Sequence, residues 1–540
     1  MKILLIVPKY TYSHLTKNPS YSYYFPIGLG YIAAVLKKEG YDLDYLNLNH
    51  HYGTVEELIK NKLDRAKYDF VLSGHMGIGY LMIEKIINSV NSHPSKPKIV
   101  IGGPLITSEP ALMAENLRFS FGVVGEGERT IIELLTCLEK GKDVSKVDGL
   151  VYRDKDGKIV ITKKREVIKN LDSLPFPDFE ALGLEEQLKH LTSGEAFFNY
   201  FDHPRVYHIL GSRGCPFQCT FCYHSLGDYT YRVRSVKNII AEIRYAIKRF
   251  KINGVHLNDD MFSYDPKRVK EFCKEIQKVI KETPWEFKWD CSLSVNKADE
   301  EMMKLMKESG CDMIGWGLES YSPTILKSMR KPITPEQIAE AVRLSMKYQI
   351  VNNGNFIFGD IAETRETAKE TMDYWKKNCK GQVKLFFIHP YPGSAIFKHC
   401  VDKGIIKDKL DYIKYKIHHT NIMNMTNKMT DEEFNELIDA VWRNSIKYSG
   451  YVRPLKAKKT GKDTRDFTVR CPFCKEVIEY KNCLVTKPFL YSHQVACKKC
   501  RMRFFFASRL YTLTIKYYRQ FDFLRKNYLM IRENLLKKRL

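Results

Sequence analysis

Two stretches of this chain alternate short apolar runs with amphipathic segments, and that alternation leaves few folds open. In the first, "KILLIVP" (2–8), "DLDYLNL" (42–48), "DFVLSGH" (69–75) and "KIVIGGP" (98–104) read as strands. "FSFGVVGEGERTIIELLTCLEKG" (119–141) adds a fifth strand, a glycine turn and a long helix. Runs this apolar are expected of parallel strands covered on both faces. Between them lie helical periodicities, one ending at Gly40 and one opening on Thr54 as its N-cap. Ligands of such sheets bind at the carboxyl ends of the strands. The loops there are Ser73-Gly74-His75, Gly102-Gly103-Pro104 and Gly125-Glu126-Gly127. Glycine at these places either admits a ligand to the backbone or simply turns the chain.

A second series starts near Tyr207, with strands in "YHILGS" (207–212), "GVHLNDD" (254–260), "FKWDCSLS" (287–294), "DMIGWGLES" (312–320), "NGNFIFGD" (353–360) and "VKLFFIHPYPG" (383–393). Amphipathic helices separate them. Six such units have the repeat of a partial barrel, with polar residues gathered at the carboxyl ends of the strands. "GLVYRDKDGKIVITKK" (149–164) reads as a hairpin turning at Asp156-Gly157, and "LDSLPFPDFEAL" (171–182) as a Pro-punctuated linker. The expected fold is α/β. A Rossmann-like domain covers 1–145, a hairpin and linker 146–200, and a (β/α)6 TIM-like barrel 201–400. A helical extension with the basic linker "KAKKTGKDTRD" fills 401–466, a ribbon-like module 467–505, and a basic aromatic helix 506–540.

Fourteen cysteines are present, and seven fall into two tight clusters. The pairs Cys471/Cys474 and Cys497/Cys500 have the spacing of a structural zinc ribbon. The scattered remainder read as buried apolar thiols. The other cluster is a loop with Cys215, Cys219 and Cys222 and no fourth cysteine nearby. A closed metal site wants four protein ligands. A zinc site here would need one more, and His224 is the nearest in sequence. Three thiolates alone suit a cubane cluster with one iron left open.

The net charge is +24. It is spread over Lys-rich helices, with only Lys456–Arg465 and the segment after Cys500 locally basic, so a nucleic-acid partner is not expected. The C-terminal aromatic tail, with Tyr517 and Tyr518, suits a packed arm, or contact with an acidic partner or a membrane surface. The opening apolar run ends at Pro8 and reads as a strand, not a signal peptide. No stretch approaches the roughly 18 apolar residues of a membrane helix, and a cytoplasmic location is expected.

The spacing Cys-x3-Cys-x2-Cys, with Phe221 before the last cysteine, resembles the signature of the radical S-adenosylmethionine (SAM) superfamily. That resemblance implies a 4Fe-4S cluster on Cys215, Cys219 and Cys222, its open iron chelated by SAM, and cleavage of SAM to a 5′-deoxyadenosyl radical. It further implies SAM contacts from Phe221, Tyr223, Asp259, Asp260, Ser294, Glu319 and Gly359. "GLES" (317–320) is similar to a family motif at a later strand end. In "GNFIFGDIAET" (354–364), Ile361-Ala362 replace the usual Pro-Gly.

The N-terminal half, with "PIGLGYIAAVLKKEGYDLD", "IVIGGPLIT", "GVVGEGERTIIELL" and "LDSLPFPDF", looks like that of the cobalamin-binding radical SAM enzymes. This implies a corrin held at Ser73, Gly74, Gly102, Gly103, Pro104, Gly125, Glu126 and Gly127. The Asp-x-His-x-x-Gly motif that supplies a lower cobalt ligand in some cobalamin domains is missing; His75 is either such a ligand or a turn residue. The activity implied is methylation of an unactivated carbon or phosphorus in a small-molecule, lipid, peptide or carrier-bound substrate, with a flavodoxin- or ferredoxin-type reductant. Cyclisation, rearrangement or carbon–carbon coupling is the alternative outcome. A sensor with a nucleic-acid-binding ribbon is a further one. Methylthiotransferases carry N-terminal cluster cysteines, whereas residues 1–136 here have none.

Overall fold

The computed structural model describes residues 1–10, 17–193, 200–223, 230–262, 264–417 and 421–517. His224 and the tail from Tyr518 onward lie outside the described residues.

The N-terminal sheet contains β1 (Lys2–Val7), β2 (Asp42–Asn47), β3 (Phe70–Gly74), β4 (Lys98–Gly102), β5 (Phe121–Val123), β6 (Leu150–Arg153) and β7 (Ile159–Ile161). Their order is β2-β1-β3-β4-β5-β6-β7. The first five are parallel, and the 149–164 hairpin adds β6 and β7 antiparallel at the edge. The strand order reverses between β1 and β3, which opens a crevice at their carboxyl ends. Side chains of β1 alternate between the two faces of the sheet. Leu4 and Ile6 pack with Ile83 and Ile87 on one face. Leu5 and Val7 join a core that continues through Phe179 to Tyr207 and Ile239 of the second domain.

The second sheet starts with β8 (Val206–Ile209). A short antiparallel pair, β9 (Ser212–Arg213) and β10 (Arg232–Val233), brackets the cysteine loop. Next come β11 (Gly254–Leu257), β12 (Lys288–Leu293), β13 (Cys311–Glu319), β14 (Val351–Asn352), β15 (Asn355–Phe358) and β16 (Lys384–Phe387). The order is β8-β11-β12-β13-β15-β16, parallel throughout, with β14 paired beside β13. This is the expected six-strand partial barrel.

The alternation of side chains separates its faces. Ile314, Trp316 and Leu318 are covered, whereas Gly315, Gly317 and Glu319 between them are only half-buried. Phe356 and Phe358 are covered while Asn355 and Ile357 are not; Leu385 and Phe387 are covered while Lys384 and Phe386 are not. The covered set packs under the helices in one large core. The other set lines an accessible lumen. Each buried aromatic in that outer core contributes about 2 kcal/mol of apolar burial. The helix Val236–Phe250 is capped by Ser235, whose side chain accepts from the Asn238 N–H.

The C-terminal module holds β17 (Tyr451–Val452), β18 (Lys456–Lys459), β19 (Thr464–Arg470), β20 (Val477–Leu484), β21 (Ser492–Ala496) and β22 (Arg503–Ala507) in two three-stranded sheets. The segment expected as a linker, 456–466, instead supplies β18 and the start of β19. Lys456–Lys459 are all exposed, so this edge strand carries no apolar alternation to announce it. Residues 401–455, expected to be helical, are so mainly in Asp431–Tyr448. The expected C-terminal helix is described over Arg509–Lys516. The ribbon docks under the barrel's amino end. Ala496 packs on Met313 and Val351, and Lys498 pairs with Asp202 at 2.9 Å. Arg501 is ion-paired with Asp312. Among the described residues, no helix is long and apolar enough to cross a membrane.

Candidate active site

The cysteine loop leaves β9 through Gly214, whose φ of +78° and close approach to the Thr230 carbonyl admit no side chain. Cys219 is buried, Cys215 half-buried and Cys222 exposed. The Thr220 N–H donates to the Met329 carbonyl at 3.0 Å, and the Thr220 carbonyl accepts from Ile396 N–H at 3.0 Å. The end of the helix Pro323–Ser328 and the start of the helix Ala395–Asp402 therefore hold this loop in place. Burial pushes the Cys215 thiol up. The hydrogen bond from Cys222 and the nearby Lys331 cation hold Cys219 below the ordinary thiol value, against its burial.

Among the described residues, the cysteines whose ligand atoms converge within 4.8 Å are the ribbon four. Their Sγ atoms are 3.9 Å apart for Cys471 and Cys500 and 3.6 Å for Cys474 and Cys497. A tetrahedral zinc with 2.3 Å bonds needs about 3.8 Å between sulfurs, so the ribbon cysteines suit zinc. The loop cysteines form no such four-ligand group, and Cys219 and Cys222 are hydrogen-bonded to each other.

The expected strand-end residues divide by environment. Asp259 is buried, accepts from the Ser212 N–H at 2.7 Å, and is pushed by burial to about 7. It props the backbone that enters the cysteine loop. Asp260 is exposed and electrostatically close to Cys215. Ser294 is 5% exposed, and its hydroxyl has no partner; the Asn296 amide oxygen is likewise buried and unsatisfied. Such atoms want a ligand or water. Glu319 adopts φ +61°, a costly conformation for a residue with a side chain, and accepts from Lys331 at 2.8 Å. Burial opposes the Lys331 charge, but Glu319 and Cys219 hold its pKa above the ordinary lysine value.

Lys331 is absent from the sequence-based expectations. Its one sequence trace is Gly317, where a Cβ would lie 2.5 Å from the Lys331 Nζ. Phe221 packs into the core shared with Ile325 and Ile388, and the Tyr223 ring covers Gly393. Gly359 (φ +94°) gives its N–H to Glu363 at 3.2 Å and is covered by Phe434. With Ile361-Ala362 in place of Pro-Gly, this loop folds onto itself rather than offering its N–H outward.

In the N-terminal domain, the Ser73 hydroxyl donates to the Ile6 carbonyl at 2.9 Å, and Gly74 lies tight against the Gly102 carbonyl. Gly103 (φ +87°) approaches the His75 carbonyl, and Pro104 opens the next helix. Gly125 (φ +87°) faces open space. Met76 and Ile78 are exposed beside these loops. His75 is buried, its ring against Tyr10 and over Gly79, and burial lowers it to about 4.

Glu126 accepts from Arg213 at 3.1 Å, from Arg232 at 2.9 Å and from the Ile168 N–H at 2.7 Å, so both carboxylate oxygens are occupied by protein. Gly127 opens the helix Gly127–Glu139, whose Glu128 takes the other Arg213 nitrogen at 2.6 Å. These ion pairs clamp the β5 loop to the strand that enters the cysteine loop. Tyr24, in the chain between β1 and the first helix, reaches the lumen histidines, with ring centroids 5.9 Å from His208 and 6.2 Å from His256.

The model of the radical SAM superfamily matches residues 209–374, and that of the B12 binding domain matches residues 14–135. An uncharacterized methyltransferase of Pyrococcus horikoshii, PH0819, is 30% identical over 75% of this chain and 84% of its own. The chain belongs to the cobalamin-binding radical SAM family.

A second relative, the anaerobic magnesium-protoporphyrin IX monomethyl ester cyclase of Rubrivivax gelatinosus, is 26% identical over 82% of this chain and 76% of its own. Among solved structures, the radical SAM methyltransferase TsrM from Kitasatospora setae superposes with a TM-score of 0.60 at 18% identity, covering 74% of this chain and 76% of that one. The fold is therefore that of cobalamin-dependent radical SAM enzymes. As a member of the family, the chain is an enzyme of the methyltransferase type that uses a 4Fe-4S cluster, SAM and cobalamin.

Proposed function

We propose that this enzyme methylates an unactivated carbon or phosphorus of a small or carrier-bound substrate held in the barrel lumen. The supporting observation is the clamp of Arg213 on Glu126 and Glu128, which joins the carboxyl-end loops of both sheets. A substrate in the lumen then lies between the two cofactor sites.

Cys215, Cys219 and Cys222 hold the cluster. Asp260, Ser294 and the Glu319–Lys331 pair receive SAM; the unsatisfied Ser294 hydroxyl supports this reading. Gly74, Gly102, Gly103 and Gly125, with exposed Met76 and Ile78, offer the backbone and apolar surface a corrin needs. When bound, these groups supply a carbon-centred radical and a transferable methyl. The protein's own contribution is to orient the substrate and exclude water. The ribbon cysteines hold a structural zinc, and a one-electron reductant of the flavodoxin or ferredoxin type serves the cluster.

The test supplies reductant and methyl-labelled SAM to the reconstituted enzyme. Methylation predicts both S-adenosylhomocysteine and 5′-deoxyadenosine. The cyclase relative motivates a second reading, in which 5′-deoxyadenosine forms without S-adenosylhomocysteine.

A further inference from the structure

The lumen floor carries two cations without a counter-ion. Arg503 starts β22 of the ribbon and is 6% exposed. Its N–H donates to the Gln382 side chain and its Nη1 to the Asn353 amide oxygen at 3.1 Å, so it enters just below β15 and β16. Its Nε and Nη2 are buried with no partner. Lys384, the first residue of β16, is half-buried on the lumen face. Neither residue is ion-paired to a carboxylate among the described residues. Burial, then the charge of Arg503, depresses Lys384 to about 8. The Asn352 amide nitrogen is another buried donor without a partner. One unsatisfied acceptor, the Asn355 amide oxygen, shares the region.

Two like charges, one of them with unsatisfied donors, are costly to bury together unless an anion completes them. One step up the same strand face, Phe386 is 48% exposed, beside half-buried Ile357. We propose that Arg503 and Lys384 form an oxyanion site on the lumen floor, taking a carboxylate or phosphate group of the substrate, with an apolar segment against Phe386. The substrate class is thus an acid with an apolar body, its anionic end away from the cysteine loop. The ribbon, which lies outside both matched family domains, acts as a substrate-reading floor. This rests on the lumen being the substrate chamber.

The test is calorimetric titration of the full-length, reconstituted enzyme with inorganic phosphate and, separately, acetate at constant ionic strength. One of the two is expected to bind saturably, and which one names the group. Arg503→Met and Lys384→Met, each checked for retained zinc, should weaken that binding about tenfold or more, as loss of a charged hydrogen bond does. Lys384 lies on the barrel, so its variant decides the matter should Arg503→Met fail to fold. No saturable binding, or both folded variants binding as tightly as wild type, overturns the proposal. Anion binding needs no turnover, so a failure of methyl transfer leaves this result readable on its own.

Discussion

Arg213, two residues before Cys215, donates to the Glu128 carboxylate of the N-terminal domain at 2.6 Å. Both side chains are largely buried, at 15% and 6% exposure. Two peptide bonds, through Gly214, thus link the domain interface to Cys215 of the cysteine loop. Breaking a buried pair by removing one partner costs about 3 kcal/mol or more, because it strands the other charge. Arg213→Met is expected to lower stability by about that amount. Adding Glu128→Gln should then cost far less than the sum of the single changes. Urea unfolding of the four proteins measures the coupling; strictly additive losses would mean that the pair does not join the domains.

The two cysteine sites should be separable by metal analysis. Cys219→Ser is expected to lose most of the iron and the visible absorption while keeping zinc. Cys474→Ser should do the reverse. Loss of both metals in either variant would contradict independent sites.

Gly317→Ala places a methyl group 2.5 Å from the Lys331 Nζ, which must shift from its present place beside Glu319. Loss of a charged hydrogen bond is worth about 1.5–3 kcal/mol, so the KM for SAM is expected to rise roughly tenfold or more. Cobalamin content, set in the other domain, should stay unchanged.

Glu363 is 1% exposed, and burial pushes it to about 7. Its folded value is raised above the unfolded one, so the folded state keeps its proton where the unfolded state loses it. The stability this contributes is full below about pH 4.5 and is lost as pH rises to about 7. The span amounts to roughly 3 kcal/mol at one pKa unit per 1.4 kcal/mol. Glu363→Gln should flatten the fall in urea midpoint between pH 5 and pH 8. An unchanged slope would place the titration elsewhere.

The sheets were legible because parallel strands and their helices announce themselves in local periodicity, as "KILLIV" and "VKNIIAEIRYAIKRF" do. The convergence of the ribbon cysteines was legible because their spacing is local too. What could not be read is what long-range folding decides. Glu126 gives no local sign of its partner Arg213, which lies 87 residues away. Lys331 carries no motif of its own and is placed by the turn after the helix Pro323–Ser328, where Arg330 adopts φ +54°. Asp259 and Asp260, adjacent in sequence, face opposite environments, because one turns under the cysteine loop and the other toward solvent. The ribbon's place under the barrel depends on Arg501 and Arg503 meeting Asp312 and Asn353, contacts that no local pattern carries.

The most direct measurement is anaerobic reconstitution with iron, sulfide and hydroxocobalamin, followed by desalting, metal analysis, visible spectroscopy, and addition of reductant and SAM. The account predicts about four irons beyond the ribbon zinc, one retained cobalamin, and release of 5′-deoxyadenosine. Zinc in both cysteine sites, with neither cluster nor 5′-deoxyadenosine, would contradict it.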